Sequence, residues 1–246
     1  MKFESLYKIF EYVFLSYFFI YNSMNLFFMT ISFYEVRRRV ISSGFEDLDL
    51  VMKSPFTPPL SIIVPAYNEE KTIQESVSSF LNLQFPRLEI IIVNDGSIDG
   101  TVEVLKSAFQ MKRADLNYLK HITTSPVKGC YESKAELPKH IRRLILIDKE
   151  NGGKADSINA GINASLCHYF VAIDADSILD EVSLLQAFRT VLDCTETVAI
   201  GGQIAILNGS LVSKGRVVKR MMPKNHLARF QIVEYIRAFT LGRTAL

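Results

Sequence analysis

Short runs of β-branched and other apolar residues recur along the later part of the chain, at 60–64, 89–93, 144–147, 169–173 and 198–201. They are too short for helices and are apolar at consecutive positions, as strands covered on both faces of a parallel sheet are. Between them, 69–83, 101–109, 155–164 and 183–192 carry apolar residues at helical spacing. This alternation predicts a doubly wound, mostly parallel α/β sheet, which binds ligands at the carboxyl ends of its strands. Residues 110–143 are less regular and rich in lysine, and read as an insertion or a mobile crossover. Residues 225–241 read as a helix that packs on the sheet or lies at a membrane surface.

The start of the chain has a different pattern. No residue from 12 to 34 carries a formal charge and most are Phe, Leu, Ile, Val, Met or Tyr, enough helix to cross roughly 30 Å of hydrocarbon. A cleaved signal peptide has a shorter apolar run, and a buried helix of a soluble fold is the other competitor; the length favours a transmembrane anchor. Asn22, Ser23 and Asn25 interrupt the run, and polar groups in lipid need a partner, which hints at packing against another helix. Arg37, Arg38 and Arg39 follow the run, with Lys2 and Lys8 before it, so the positive-inside bias puts the later domain in the cytoplasm. Residues 41–59, with Ser42, Ser43, Gly44, Pro55, Pro58 and Pro59, read as a linker. The expected organisation is a membrane anchor with its basic flank at 1–40, the linker, and a globular domain over 60–246.

The chain has 246 residues, 48% of them hydrophobic, sufficient for one domain with a substantial core. Its 28 basic and 26 acidic residues leave a net charge of +2, without the basic excess expected of a nucleic-acid binder. Cys130, Cys167 and Cys194 are scattered and odd in number, which suggests neither a disulfide framework nor a zinc site.

Four segments at predicted strand ends or helix starts carry polar chemistry. The first strand runs into Pro65-Ala66-Tyr67-Asn68-Glu69-Glu70, where a base could stack on Tyr67, although Asn68 could equally cap the next helix with the glutamates favouring its N-terminus. The second ends in Val93-Asn94-Asp95-Gly96-Ser97; Asp95 could accept hydrogen bonds from a base or ribose, or simply shape a turn. Asn151-Gly152-Gly153-Lys154-Ala155-Asp156 opens a helix, and helix amides beside an ammonium suit a diphosphate, although a solvated lysine beside a glycine turn is common. Lastly, the apolar strand at 169–173 delivers Asp174-Ala175-Asp176. Two carboxylates so close repel unless a cation lies near, and hard oxygen ligands suit Mg²⁺ or Mn²⁺ bridging to phosphates.

In this order, over residues 60 to about 202, the four segments resemble family 2 glycosyltransferases of the GT-A fold. The resemblance implies that Pro65, Ala66, Tyr67, Asn68, Glu69 and Asp95 hold the nucleotide of a sugar donor, usually a UDP-sugar. It implies too that Lys154 lies near the donor and that Asp174 and Asp176 organise the metal and diphosphate. The anchor is similar to that of the membrane-bound synthase branch, which points to a bacterial inner membrane and to inverting transfer onto a polysaccharide or lipid-linked acceptor. The family's acidic base motif, Thr-Glu-Asp or Glu-Asp, does not follow Asp176, and Gln-x-x-Arg-Trp is absent from a chain without tryptophan. Asp180, Glu181, Asp193 and Glu196 fall in or around the helix after the acidic pair, so none is assigned as base. The ending at Arg243-Thr244-Ala245-Leu246, just after an apolar helix, reads as an interruption. The expectation is therefore a C-terminally incomplete domain that binds donor without transferring sugar, unless Asp180, Glu181 or a partner membrane subunit supplies the base. A sugar transferase to polyprenyl phosphate and a catalytically inactive nucleotide-binding subunit are the alternatives.

Overall fold

A computed structural model describes residues 2–43, 48–115, 118, 121–193, 196–202 and 204–239. Gly44, Cys194 and 243–246 lie outside them. The chain divides into two compact units, one formed by 1–46, 203–210 and 220–246, the other by 47–202 and 211–219.

In the first unit, helix α1 spans Lys2–Ser43. Its 30-residue stretch Ser5–Tyr34 is long and apolar enough to cross a membrane, reaching about 45 Å at the helical rise. Three polar side chains inside that stretch bond back along the helix itself. Asn22 Nδ2 donates to the Phe18 carbonyl at 2.7 Å, Asn25 Nδ2 to Tyr21 at 2.8 Å, and Thr30 Oγ1 to Leu26 at 2.8 Å, each four residues back along the same helix. A further helix of this unit, His226–Arg237, is capped by Asn225, whose side chain accepts from the Leu227 amide at 2.8 Å.

The second unit is built on strands β1 (Leu60–Ala66), β2 (Leu88–Asp95), β3 (Met111–Arg113), β4 (Val127–Ser133), β5 (Ile141–Lys149) and β6 (Tyr169–Ala172), in the order β3-β4-β5-β2-β1-β6. β5, β2, β1 and β6 are parallel, whereas β3 and β4 add an antiparallel edge. That edge occupies much of the segment read from sequence as an insertion; its three-residue β3 and partly exposed β4 bury too little for the strand pattern to show. The run at 198–201 forms no strand, and Val198 is 99% exposed. Four residues ending at a glycine pair offer little side chain to bury. The stretch read as a linker contains helix α2 (Leu48–Lys53), whose Val51 is buried in the main core.

Helices α3 (Ile73–Leu81), α4 (Thr101–Ala108), α5 (Lys154–Ala164) and α6 (Ser183–Asp193) cover the sheet. Side chains of period two divide between its faces. Ile62, Val64, Ile90, Ile92, Leu144 and Leu146 pack with Ile73, Val77 and Phe80 of α3, Leu105 of α4 and Phe188 of α6. Ile63, Ile91, Val93, Ile145 and Ile147 face Ala160 and Ala164 of α5. Gly161 brings α5 so close that a Cβ there would lie 2.4 Å from Ile63 Cγ2. A hairpin, β7 (Leu211–Ser213) and β8 (Arg216–Lys219), turns through Lys214 and Gly215 at φ of 51° and 73°, as a two-residue primed turn requires.

At the amino end of the sheet Glu89 is 2% exposed. Its carboxylate accepts from Ser61 Oγ (2.5 Å), the Leu166 amide (2.8 Å), Ser165 Oγ (3.1 Å) and Arg143 Nε (2.7 Å). Burial pushes this carboxyl up, but Ser61, Arg143 and the Leu166 amide together outweigh it and hold its pKa below the ordinary value. Because the folded pKa is depressed, the network's full stabilisation is present above the ordinary carboxylate pKa and is lost as pH falls through the folded one.

Two outcomes are expected for the detergent-solubilised chain. Glu89→Gln leaves Arg143 uncompensated and lowers unfolding free energy by about 3 kcal/mol, and the gap from wild type narrows on acidification below the ordinary Glu range; denaturant titrations at several pH values read both. Gly161→Ala forces α5 away from Ile63 and costs about 1–3 kcal/mol, read as a lowered denaturation midpoint.

Candidate nucleotide-sugar site

The order β5-β2-β1-β6 places a topological reversal at β1, whose crossover to β2 leaves on one side while β6 lies on the other. In open α/β sheets a crevice forms at the carboxyl ends of such strands. Here it is a cleft of about 260 Å³. Pro65, Ala66, Tyr67 and Glu69 enter it from the end of β1, Asp95 from β2, Lys154 and Ser157 from the start of α5, and Asp174, Ala175 and Asp176 from the turn after β6. All four polar segments singled out in the sequence thus meet in one place, although Asn68 itself is not part of the lining.

Asn68 links two loops instead. At φ 56°, its side-chain oxygen accepts from the Ile98 amide at 2.9 Å and its own amide donates to Ser97 Oγ at 2.9 Å. It caps no helix, since α3 begins at Ile73 after Thr72. Further bonds run from the Glu69 amide to Thr101 Oγ1 (2.9 Å), from the Glu70 amide to Asp99 Oδ2 (3.2 Å) and from the Gly100 amide to Glu70 Oε2 (3.1 Å). The turns after β1 and β2 are thereby fastened together, and Tyr67 stands half exposed at the cleft.

Asp95 is the most constrained member of the lining. Lys149 at the end of β5, fully buried, donates to its Oδ1; the Gly152 amide reaches the same oxygen at 2.9 Å, and the Gly153 amide reaches Oδ2 at 2.8 Å. Burial pushes the Asp95 carboxyl up, but the Lys149 ammonium and the two glycine amides outweigh it and lower its pKa. Lys149 also pairs with Asp156 Oδ2 at 2.7 Å, and Asp156 accepts from the Ser125 amide at 3.2 Å. Gly153 adopts φ 90°, and a Cβ on Gly152 would lie 2.4 Å from Ser125 Oγ, so the turn before α5 requires both glycines. The apolar run of β5 ends at Ile147, two residues short of the strand's own end, so the hydrophobic pattern does not mark Lys149. A lysine right after such a run is the signal the sequence holds.

Lys154 pairs across the cleft with Asp174 Oδ1, and both side chains are more than half exposed. Asp176 is exposed, with Ser177 Oγ 3.5 Å from its Oδ1. Among the described residues no three His, Cys, Asp or Glu side chains gather as a metal cage. Asp180 and Glu181 lie off the lining. Asp180 accepts from the Val182 amide at 3.3 Å, and Glu181 pairs with Arg216 at 2.7 Å.

Residues 61–125 match the model of glycosyl transferase family 2. A poly-beta-1,6-N-acetyl-D-glucosamine synthase of Staphylococcus epidermidis is 31% identical over 122 residues, 50% of this chain and 23% of that one. An uncharacterized glycosyltransferase of Haemophilus influenzae is 32% identical over 151 residues, 61% and 38% of the two chains. The chain thus spans less than half the length of these relatives. Among solved structures, the mannosyltransferase PcManGT from Pyrobaculum calidifontis, in complex with GDP-Man and Mn²⁺, is 20% identical over 67% of this chain and 44% of that one, with a TM-score of 0.40, a likeness too small to carry an argument about chemistry. The matched segment runs from β1 past the acidic turn of β2, and over it the chain is similar to glycosyl transferase family 2 and to these glycosyltransferases.

Proposed function

We propose that the cleft binds a nucleotide-diphosphate sugar, with UDP as the nucleotide, together with Mg²⁺ or Mn²⁺, for inverting transfer of the sugar to a carbohydrate or lipid-linked acceptor at a membrane. The observation that carries this reading is the meeting of Tyr67, Asp95, Lys154, Asp174 and Asp176 in one crevice at the strand ends.

Each residue offers chemistry suited to a part of the donor. The exposed ring of Tyr67 can stack on a base. Asp95 is held as a carboxylate and lines the cleft, so it can accept from a base N–H or a ribose hydroxyl. The amino end of α5 and the Lys154 ammonium suit a diphosphate. Asp174 and Asp176 present hard oxygens that would hold a divalent ion beside the diphosphate. When bound, such an ion neutralises the charge of the departing nucleoside diphosphate. α1 supplies the anchor, with the sheet on the cytoplasmic side, and no residue described here is given the role of base.

Two binding experiments test the reading. In calorimetry of the solubilised chain, UDP is expected to bind with Mn²⁺ and to lose most of its affinity in EDTA, and Asp176→Ala to weaken the Mn²⁺-dependent binding by roughly tenfold or more. Equal affinity with and without metal would remove Asp174 and Asp176 from the donor site. Asp95→Asn keeps the side chain's size and removes its charge; the expected result is weaker UDP binding by a protein with a wild-type circular dichroism spectrum. Unchanged affinity would leave Asp95 as a shaper of the turn alone.

A further inference from the structure

Lys149 has no exposed surface, yet it lies directly behind the cleft. A buried ammonium is tolerated only when its partners replace water. Lys149 has three such partners on separate segments: Asp95 at the end of β2, Asp156 on α5, and the Glu150 carbonyl at 2.8 Å. The two carboxylates pass the constraint on. Asp95 holds the amides of Gly152 and Gly153, which fix the turn leading to Lys154. Asp156 holds the Ser125 amide, and thereby the segment before β4. One ammonium therefore neutralises two carboxylates that would otherwise repel each other, and each of these carboxylates secures a piece of backbone, the glycine turn in one case and the segment before β4 in the other.

We propose that Lys149 is a positioning residue for the donor: it touches no ligand, but by bridging Asp95 and Asp156 it preforms the Gly152–Gly153 turn that presents the amino end of α5 and Lys154 to a diphosphate. The proposal rests on the nucleotide-sugar reading of the cleft and adds a residue that does its work from behind the lining. Preorganisation of this kind sets affinity through the cost of ordering the turn, not through a new contact. Without Lys149, Asp95 and Asp156 face each other with no counter-charge, and the turn is released before the fold is lost.

The experiment measures amide hydrogen exchange of the full chain in detergent without ligand, and UDP affinity in the presence of Mn²⁺. In Lys149→Met the amides of Gly152, Gly153 and Ser125 are expected to exchange faster while those of β1 and β2 keep their protection, and UDP affinity is expected to fall by roughly 10- to 100-fold. Saturating UDP with Mn²⁺ should restore the lost protection, which a general loosening of the fold would not permit. Should Lys149→Met fail to fold, Asp156→Asn carries the test. It removes one carboxylate and so leaves no unpaired charge; faster exchange at Ser125 and a smaller loss of UDP affinity support the bridge. Wild-type affinity and wild-type exchange at the glycine turn in the folded variant overturn it. If the wild-type chain binds neither UDP nor GDP with Mn²⁺, the donor reading itself fails and the proposal falls with it; nucleotide binding that is intact in both wild type and variant overturns the role of Lys149 alone.

Discussion

A parallel sheet whose strands are apolar on both faces has to be covered on both, and this constraint fixes where everything else can lie. β1, β2 and β5 send alternate residues to opposite sides, toward α3, α4 and α6 on one and toward α5 on the other. With helices occupying both faces, polar side chains can reach solvent only at the ends of the strands. The crossover directions then make one end special. At the carboxyl ends of β1 and β6 the helices part company, and the cleft opens in the gap they leave. The close approach of α5 at Gly161 belongs to the same constraint, because it sets how near the glycine turn before α5 comes to the end of β2.

Both ends of the sheet bury charge, and the two networks differ in a telling way. At the amino end the Glu89 carboxylate accepts from two hydroxyls, an amide and a guanidinium. Its bonds are all internal to the fold, and their consequence is stability. At the carboxyl end Asp95 is likewise held as a carboxylate by Lys149 and two glycine amides, yet it lines the open cleft. The same physics of compensated burial thus yields a closed network at one end and an open one at the other. Fixing a carboxylate where it lines a cleft is what a binding group requires.

What could be read from the sequence follows from how locally each feature is encoded. β1, β2 and β5 are legible because burial leaves apolar runs, β6 because its run is apolar although it lies largely exposed at the sheet edge, and α3 to α6 because one face of each is apolar. The four polar segments are legible because each sits at the boundary of such a run. β3 and β4 are hidden because their pattern, with Lys112, Arg113, Lys128 and Glu132 among the apolar positions, is that of a partly solvated antiparallel edge. The run at 198–201 misleads for the opposite reason, being apolar yet exposed. Asn68 shows another limit: its composition suits a helix cap, but its partners, Ser97 and Ile98, belong to another loop. Lys149 goes unnoticed for a similar reason, since its meaning lies in carboxylates brought from β2 and α5.

The pair formed by Lys154 and Asp174 bears on how a ligand would enter. Both side chains are more than half exposed, and an ion pair in that setting contributes about 0–1 kcal/mol, because water screens the attraction and two flexible side chains are restrained. Separating them is therefore cheap. A diphosphate accompanied by a divalent cation offers each a stronger partner: phosphate oxygens for the ammonium, and the metal for the carboxylate. Under the nucleotide-sugar reading the two side chains of the pair exchange partners when donor binds. The buried bridge behind it stays in place, since taking a counter-charge from Lys149 would leave an ammonium in a site without water. The cleft thus combines a deep layer that is costly to disturb with a surface layer that is easy to rearrange, and the boundary between the two runs through the turn at Gly152 and Gly153.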